Sequence, residues 1–293
     1  MRRSSIPVQI IVIDNGSADG TQDFIKNNFP EVDFIQSSEN LGFGKANNLG
    51  LEMAYKRGAD FFYLMNQDAW IFEDSIEKLL LIFQNYTQKE EIGILSPMHL
   101  DGSQQQLDVH FERYLARYTQ HNRFLSDVFN DRQKTSYEID FINAAHWLLP
   151  KSTIEIIGGF NPYFFHGAED YDYVNRVKYF SKKILICTES RVVHDTVQFF
   201  HKKEPKNKEE LLVQTRISLR MQRETKYLDP QYDFNAKREK AEFYSNILKL
   251  NLKGKFDEAK FYKEQYKYFA PKFEEIAEAR EISKSGSHSF LNL

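Results

Sequence analysis

The chain has 293 residues, 41% apolar and 28% charged, which is the balance of a globular protein and not of a disordered one. A net charge of -3 speaks against a general nucleic-acid binder. Its single cysteine, Cys187 in the apolar stretch KILICTE, excludes a disulfide within the chain and is read as a small packed hydrophobe.

Taken in order, VQIIVID reads as a first strand ending at Asp14. Residues Gly16 to Thr21 form a turn that supplies helix caps, and a helix follows over Thr21 to Asn28, stopped near Pro30. Val32 to Gln36 is a second strand, and Lys45 to Arg57 a second helix ending at Gly58. Phe61 to Met65, FFYLM, is short, aromatic-rich and unbroken, the pattern of a strand buried on both faces of a parallel sheet. A third helix covers Asp74 to Asn85. This alternation predicts parallel pairing through right-handed crossovers. Residues 101–140 read as a polar, irregular loop over the site. Then come a strand-like stretch from Ile139 to Leu149, a short helix over Ser152 to Ile157, an acid-fronted helix over Ala168 to Phe180, and a closing strand over Ile184 to Val193. From about Lys208 the chain is nearly all helix-forming, with breaks at Pro230 and Pro271. The domain boundary is expected near residue 200, giving a 1–200 catalytic domain and a 201–293 helical extension.

Charge divides along the same line. Residues 201–293 carry 20 Lys and Arg against 15 Asp and Glu, whereas the rest carries 19 against 27. The basic tail reads first as a solvated helical surface, with weak attraction to an anionic membrane face as the sharper alternative. The apolar run behind Arg2 and Arg3 is too short for a signal peptide, and no stretch is long and apolar enough to span a bilayer. The expectation is a cytoplasmic protein, with peripheral seating at the inner face of the plasma membrane as its variant.

The run FFYLM stops at Asn66-Gln67-Asp68, and in open α/β sheets the ligand crevice lies beyond the carboxyl ends of the strands. A carboxylate there can hold a divalent cation against a diphosphate. Asp14 ends its own strand in the same way, so two acids point to one shared polar site. Asp68 alone reads equally as a cap on the helix after its strand, and Asp14 as a turn former before Asn15-Gly16. Gly42-Phe43-Gly44 looks like half of a dinucleotide-binding glycine motif, but its third glycine is missing. Glu169 and Asp170 are either good helix electrostatics or a pair for proton transfer.

Five segments in one order carry a resemblance: IDNGSADGT (13–21), ENLGFGKANNLG (39–50), MNQDAW (65–70), GGFNPYFFHGAEDYDYVNRV (158–177) and VVHD (192–195). Together they resemble the family 2 glycosyltransferases, most of all the rhamnosyltransferase-type branch, over roughly residues 8–200. The resemblance implies a GT-A fold, a mostly parallel Rossmann-like sheet flanked by helices. It also implies a nucleotide-diphosphate sugar donor, a glycan or lipid-linked acceptor in bacterial surface polysaccharide synthesis, Mn²⁺ or Mg²⁺, and inversion at the anomeric carbon. By the same resemblance Asp68 binds the metal, with Asn66 standing where the family has a first acid. His194 is a second metal ligand, Asp170 is the base and Glu169 positions it or the acceptor. Asp14, Gly44, Lys45 and Asn48 lie near the nucleotide, with Asn66 and Asp68. Asp172 is expected to be structural. Trp147 and Phe165 are expected either to stack on sugar faces or to pack in the core.

The family opens with a further strand ending in Thr-Tyr-Asn. This chain starts at what matches the second strand, so roughly 30 to 40 residues, the size of one strand–helix unit, are expected to be absent. A gap beside FFYLM is expected in consequence. A non-catalytic nucleotide- or glycan-binding relic is therefore the competing function, and an NAD-dependent enzyme a third.

Overall fold

Side chains alternate between the two faces of a strand, and three strands of this chain are apolar on both faces. In the computed structural model, which describes residues 1–196 and 207–293, those strands form the centre of the sheet. They are β5 (Ile92–Leu100), β7 (His146–Pro150) and β8 (Lys183–His194). Before them come β1 (Ile11–Asp14), α1 (Thr21–Asn28), β2 (Asp33–Gln36), α2 (Phe43–Lys56), β3 (Phe61–Met65), β4 (Ala69–Ile71) and α3 (Ser75–Asn85). Between β5 and β7 lie α4 (Val109–Tyr118), α5 (Phe124–Phe129) and β6 (Ser136–Glu138), and between β7 and β8 lie α6 (Lys151–Ile157) and α7 (Glu169–Tyr179).

The main sheet has six strands in the order β3-β7-β5-β8-β4, with β6 also paired to β8. One face packs Leu95, Leu148, Leu185 and Cys187 against Leu79 and Ile82 of α3. The other packs Ile94, Trp147, Leu149, Ile184 and Ile186 against Leu51, Phe111, Ile154, Ile157, Tyr173 and Val177. The class is mixed α/β, a central sheet with helices on both faces, followed by a helical region. Trp147 is fully buried, stacked 6.0 Å from Phe160, so of its two readings the core holds. Cys187 is buried as well, and desolvation pushes its thiol pKa up.

Two details differ from the sequence reading. Within the main sheet only β5 and β8 pair parallel; β3–β7, β4–β8, β5–β7 and β6–β8 are antiparallel. Strand β3 takes its partner from far along the chain instead of from a neighbouring crossover, and it lies at the sheet's edge with Met65 38% exposed. Strands β1 and β2 do pair parallel, but as a separate two-stranded sheet. Residues 101–140 are no irregular loop, because α4 drives Phe111 and Leu115 into the core. The signal was present: Asp108 caps α4 by accepting the His110 and Phe111 N–H bonds, and the apolar spacing behind it is i, i+4.

The chain divides into two units, Met1–Glu204 with Gly286–Leu293, and Pro205–Ser285. The expected boundary near residue 200 lies outside the described residues. The second unit is helical: α8 (Lys208–Leu228), α9 (Ala236–Leu252), α10 (Phe256–Phe269) and α11 (Phe273–Ser285). Its core is aromatic, built on Tyr227, Phe243, Phe269 and Phe273, and the buried Arg280 closes it by donating to the Tyr227 carbonyl at 2.6 Å. No described helix is long and apolar enough to cross a membrane.

Candidate functional site

Antiparallel pairing brings the end of β8 to the start of β4, with His194 opposite Ala69. That register sets Asp68 beside His194, Oδ1 to Nε2 at 3.7 Å. Asp68 leads into a strand, so the helix-cap alternative does not hold for it. His194 is 4% exposed. Its Nδ1 and the Asp68 Oδ1 are buried without a hydrogen-bond partner. Buried polar atoms are ordinarily satisfied, and orphans of this kind mark strain, an ion or a ligand.

Behind His194 lie two further histidines that a reading of motifs passes over. His146 is 6.4 Å from the His194 ring and His99 6.0 Å, centroid to centroid. The His146 Nδ1 lies 2.8 Å from the Tyr63 hydroxyl and its Nε2 3.3 Å from the Val193 carbonyl. Burial lowers the His146 pKa to about 3 and drives that of His99 well down, so both are neutral. For neutral His146 the consistent assignment is Nδ1 accepting from Tyr63 and Nε2–H donating to Val193. The residue before His194 is thereby held from β7, across the intervening β5. Each histidine is alone in its own apolar strand, and only the strand order β7-β5-β8 assembles them.

Glu169 and Asp170 open α7, after Ala168 in a left-handed conformation at φ 72°. Glu169 is buried and its Oε2 has no partner. Loss of solvent raises its pKa. Loss of solvent and then the Glu169 charge raise the pKa of Asp170 to about 7, while the backbone of nearby Ala144 pulls the other way. That proximity matters for position. The next residue, Ala145, accepts the Asn66 N–H at 3.2 Å. One dipeptide therefore holds the 66–68 turn through Ala145 and lies beside Asp170 through Ala144.

The other candidates are tied in less directly. Asp14 is buried and accepts the Ser17 N–H at 3.0 Å, so it forms its own turn. Its neighbour Asn15 donates to the Asn40 side chain and accepts the Leu41 N–H, both in the loop ahead of α2. That loop meets the segment before α7. Phe43 N–H reaches the Phe165 carbonyl at 3.3 Å, and a Cβ on Gly42 (φ +80°) would lie 2.1 Å from the same oxygen. A Cβ on Gly44 would press on the Phe160 Cβ at 2.9 Å, so its glycine serves close packing. Asn48 is buried; its Oδ1 accepts the Phe160 N–H at 2.7 Å and its Nδ2 donates to the Phe160 and Phe290 carbonyls. Its amide holds the polypeptide and is not turned to a ligand. Lys45 is exposed. Phe165 is 59% exposed and open to a stacking role.

Asp172 sits outside the strand-end cluster, as a structural group. Its Oδ2 accepts from the fully buried Arg176 at 2.9 Å, and Arg176 also donates to the Ile157 and Gly159 carbonyls. Helix α4 supplies further polar groups. The Asp108 Oδ2 accepts the Thr196 hydroxyl just past His194, and desolvation lowers the His110 pKa.

A metal between Asp68 and His194 would meet the Asp68 Oδ1, which has no hydrogen-bond partner, and the His194 Nε2 that faces it. Among the described residues no group of three acids, histidines or cysteines stands close enough to hold an ion unaided. Two donors fit an ion completed by diphosphate oxygens, and a carboxylate with an imidazole suits Mn²⁺ better than Mg²⁺.

Residues 2–93 match the family model described as glycosyl transferase family 2. Comparison with curated proteins finds no match. Among solved structures, the chain is similar to GalNAc-T7 with UDP, GalNAc and Mn²⁺, at 15% identity and a TM-score of 0.44 over 64% of this chain and 37% of that one. It is similar to S. aureus TarS residues 1–349 in complex with UDP, at 13% identity and 0.48 over 81% and 62%. A third likeness is to A197 from STIV, at 11% identity and 0.37 over 62% and 82%. The chain thus spans 37% and 62% of the first two structures.

Proposed function

We propose that the chain is an inverting glycosyltransferase that moves a sugar from a nucleoside-diphosphate donor to a hydroxyl of a glycan or lipid-linked acceptor. Bacterial surface polysaccharide synthesis and a rhamnosyltransferase-like specificity are the setting that the sequence resemblance suggests. Two observations support the reading: the family match over residues 2–93 and the nearness of both the 66–68 turn and Asp170 to Ala144-Ala145. The second carries it, because the 66–68 turn and Asp170, whose pKa is raised to about 7, lie against two adjacent residues.

The chemistry is a single displacement. Asp170 takes the acceptor's hydroxyl proton as that oxygen bonds to the anomeric carbon. The bond from that carbon to the β-phosphate oxygen breaks, and its electron pair leaves with the nucleoside diphosphate. Glu169 keeps negative charge beside Asp170 and so raises its basicity. Asp68 and His194 would hold a divalent cation, which supplies charge neutralisation on the leaving diphosphate. Asp14, Lys45 and Asn66 are the nucleotide-side groups in this reading.

The test is donor turnover with Mn²⁺ in wild type and Asp170→Asn, using UDP-, GDP- and dTDP-sugars. The variant should lose about 10²- to 10⁴-fold, and wild-type turnover should rise with pH through about 7 as Asp170 ionises. Equal turnover in both proteins removes the base. The separate β1–β2 sheet and the one-sided pairing of β3 favour a second reading, a binding relic. Calorimetric binding of a nucleotide with no transfer of any of the three sugars would select it.

A further inference from the structure

Considered alone, the helical unit carries an apolar edge that its own core leaves unused. Helix α9 turns Phe243 inward, against Tyr266 at 5.7 Å and Phe269 at 6.3 Å. On a different face Tyr244, Leu248 and Leu252 follow at i, i+4 and i+8, and they are 53, 61 and 78% exposed. Phe256 opens α10 just beyond the Gly254 turn and is 67% exposed. Lys249 and Lys253 stand exposed among these side chains, and Lys255 is exposed but ion-paired to Glu258 at 2.7 Å. No acid occurs between Glu242 and Asp257.

We propose that this α9–α10 hairpin tip is a docking surface for an anionic lipid bilayer. The leucines and Phe256 would enter the headgroup boundary while the lysines lie level with lipid phosphates, which is how a basic amphipathic edge partitions into an interface. The charge pattern selects this occupant. A second copy seated on the same tip would set Lys249 and Lys253 against the same two lysines, whereas an anionic surface meets them with opposite charge. Neither helix crosses a bilayer, so the contact is peripheral. The inference stands on the second unit alone and does not depend on sugar transfer.

The experiment is co-sedimentation of the full chain with vesicles of phosphatidylcholine alone and of phosphatidylcholine mixed with phosphatidylglycerol. Binding is expected to the mixed vesicles only, and to weaken with added salt. Each lysine is worth roughly fivefold in partitioning, so Lys249→Glu/Lys253→Glu should cost at least about twenty-five-fold. Leu252→Ser/Phe256→Ser should also reduce binding; both variants change exposed side chains, and unaltered circular dichroism would establish their fold. Three results overturn the proposal: no binding to mixed vesicles, binding unchanged in both variants, or a chain that self-associates through the tip without binding lipid.

Discussion

Two polar clusters, each drawing on the motif from Gly158 to Val177, differ in a way that separates structure from function. In the first, Arg176, Asp172, Tyr173 and Asn48 spend their polar atoms on the Ile157–Phe160 backbone and on one another. In the second, Glu169 Oε2 at the start of α7, and His194 Nδ1 and Asp68 Oδ1 at the strand ends, are buried and have no hydrogen-bond partner. A fold gains nothing from an unsatisfied buried group, which costs about 1–3 kcal/mol. The closed cluster is therefore read as scaffold and the open one as a place kept for a ligand.

The largest effect should come from the closed cluster. Arg176→Leu leaves the Asp172 carboxylate buried without its cation and strips two carbonyls of their donor. The expected loss is about 3–5 kcal/mol, read as a drop in the thermal or urea midpoint. Asp172→Leu/Arg176→Met should recover much of it, because the uncompensated charge is gone. A midpoint for Arg176→Leu within experimental error of wild type would erase the distinction between the clusters.

Asn48→Ala comes next. It removes the acceptor for the Phe160 N–H and the donor to the Phe160 and Phe290 carbonyls, at about 1–3 kcal/mol. The C-terminal residues should loosen with it, since Ser289 and Phe290 meet the same turn: Gly159 N–H donates to the Ser289 carbonyl at 2.8 Å. Faster hydrogen exchange at Gly159 and Phe160 is the accompanying sign. A variant that keeps its stability but loses nucleotide binding would instead return Asn48 to the ligand side.

What was legible in the sequence follows from how local each signal is. Helix α1 runs from Thr21 to Asn28 as expected, because its turn and Pro30 punctuate it at both ends. The stop at Asn66-Gln67-Asp68 and the histidine closing VVHD were visible, and the register of β4 on β8 brings Asp68 and His194 together. Strand β4 went unseen because three residues carry no period, and β5 because IGILSPMHL holds a proline and a histidine where an unbroken run was sought. The His99–His146–Tyr63 group was beyond reach for another reason. Its members are spread over 83 positions, and long-range antiparallel pairing leaves no periodic trace. Asn48 was read from a motif as a nucleotide contact; nothing local distinguishes an amide that binds phosphate from one that binds its own chain.

The smallest effect belongs to the open cluster and has the opposite sign. Burial raises the Glu169 pKa above its unfolded value, so the folded chain binds the proton more tightly. Folding stability then falls as pH rises from the unfolded carboxyl range through the folded pKa. Glu169→Gln removes that titration and keeps the shape, so its stability should match or slightly exceed wild type, and most clearly above the folded pKa. Transfer should nevertheless fall, because the neutral amide no longer raises the Asp170 pKa and a weaker base results; its rising limb should shift to lower pH. Paired urea titrations at pH 5 and pH 8 (order-of-magnitude choices about either side of the carboxyl range) measure the first claim, and the pH–rate profile the second. A variant less stable than wild type at both pH values would mean that the Glu169 charge is held by partners after all, and that the open cluster is scaffold like the other.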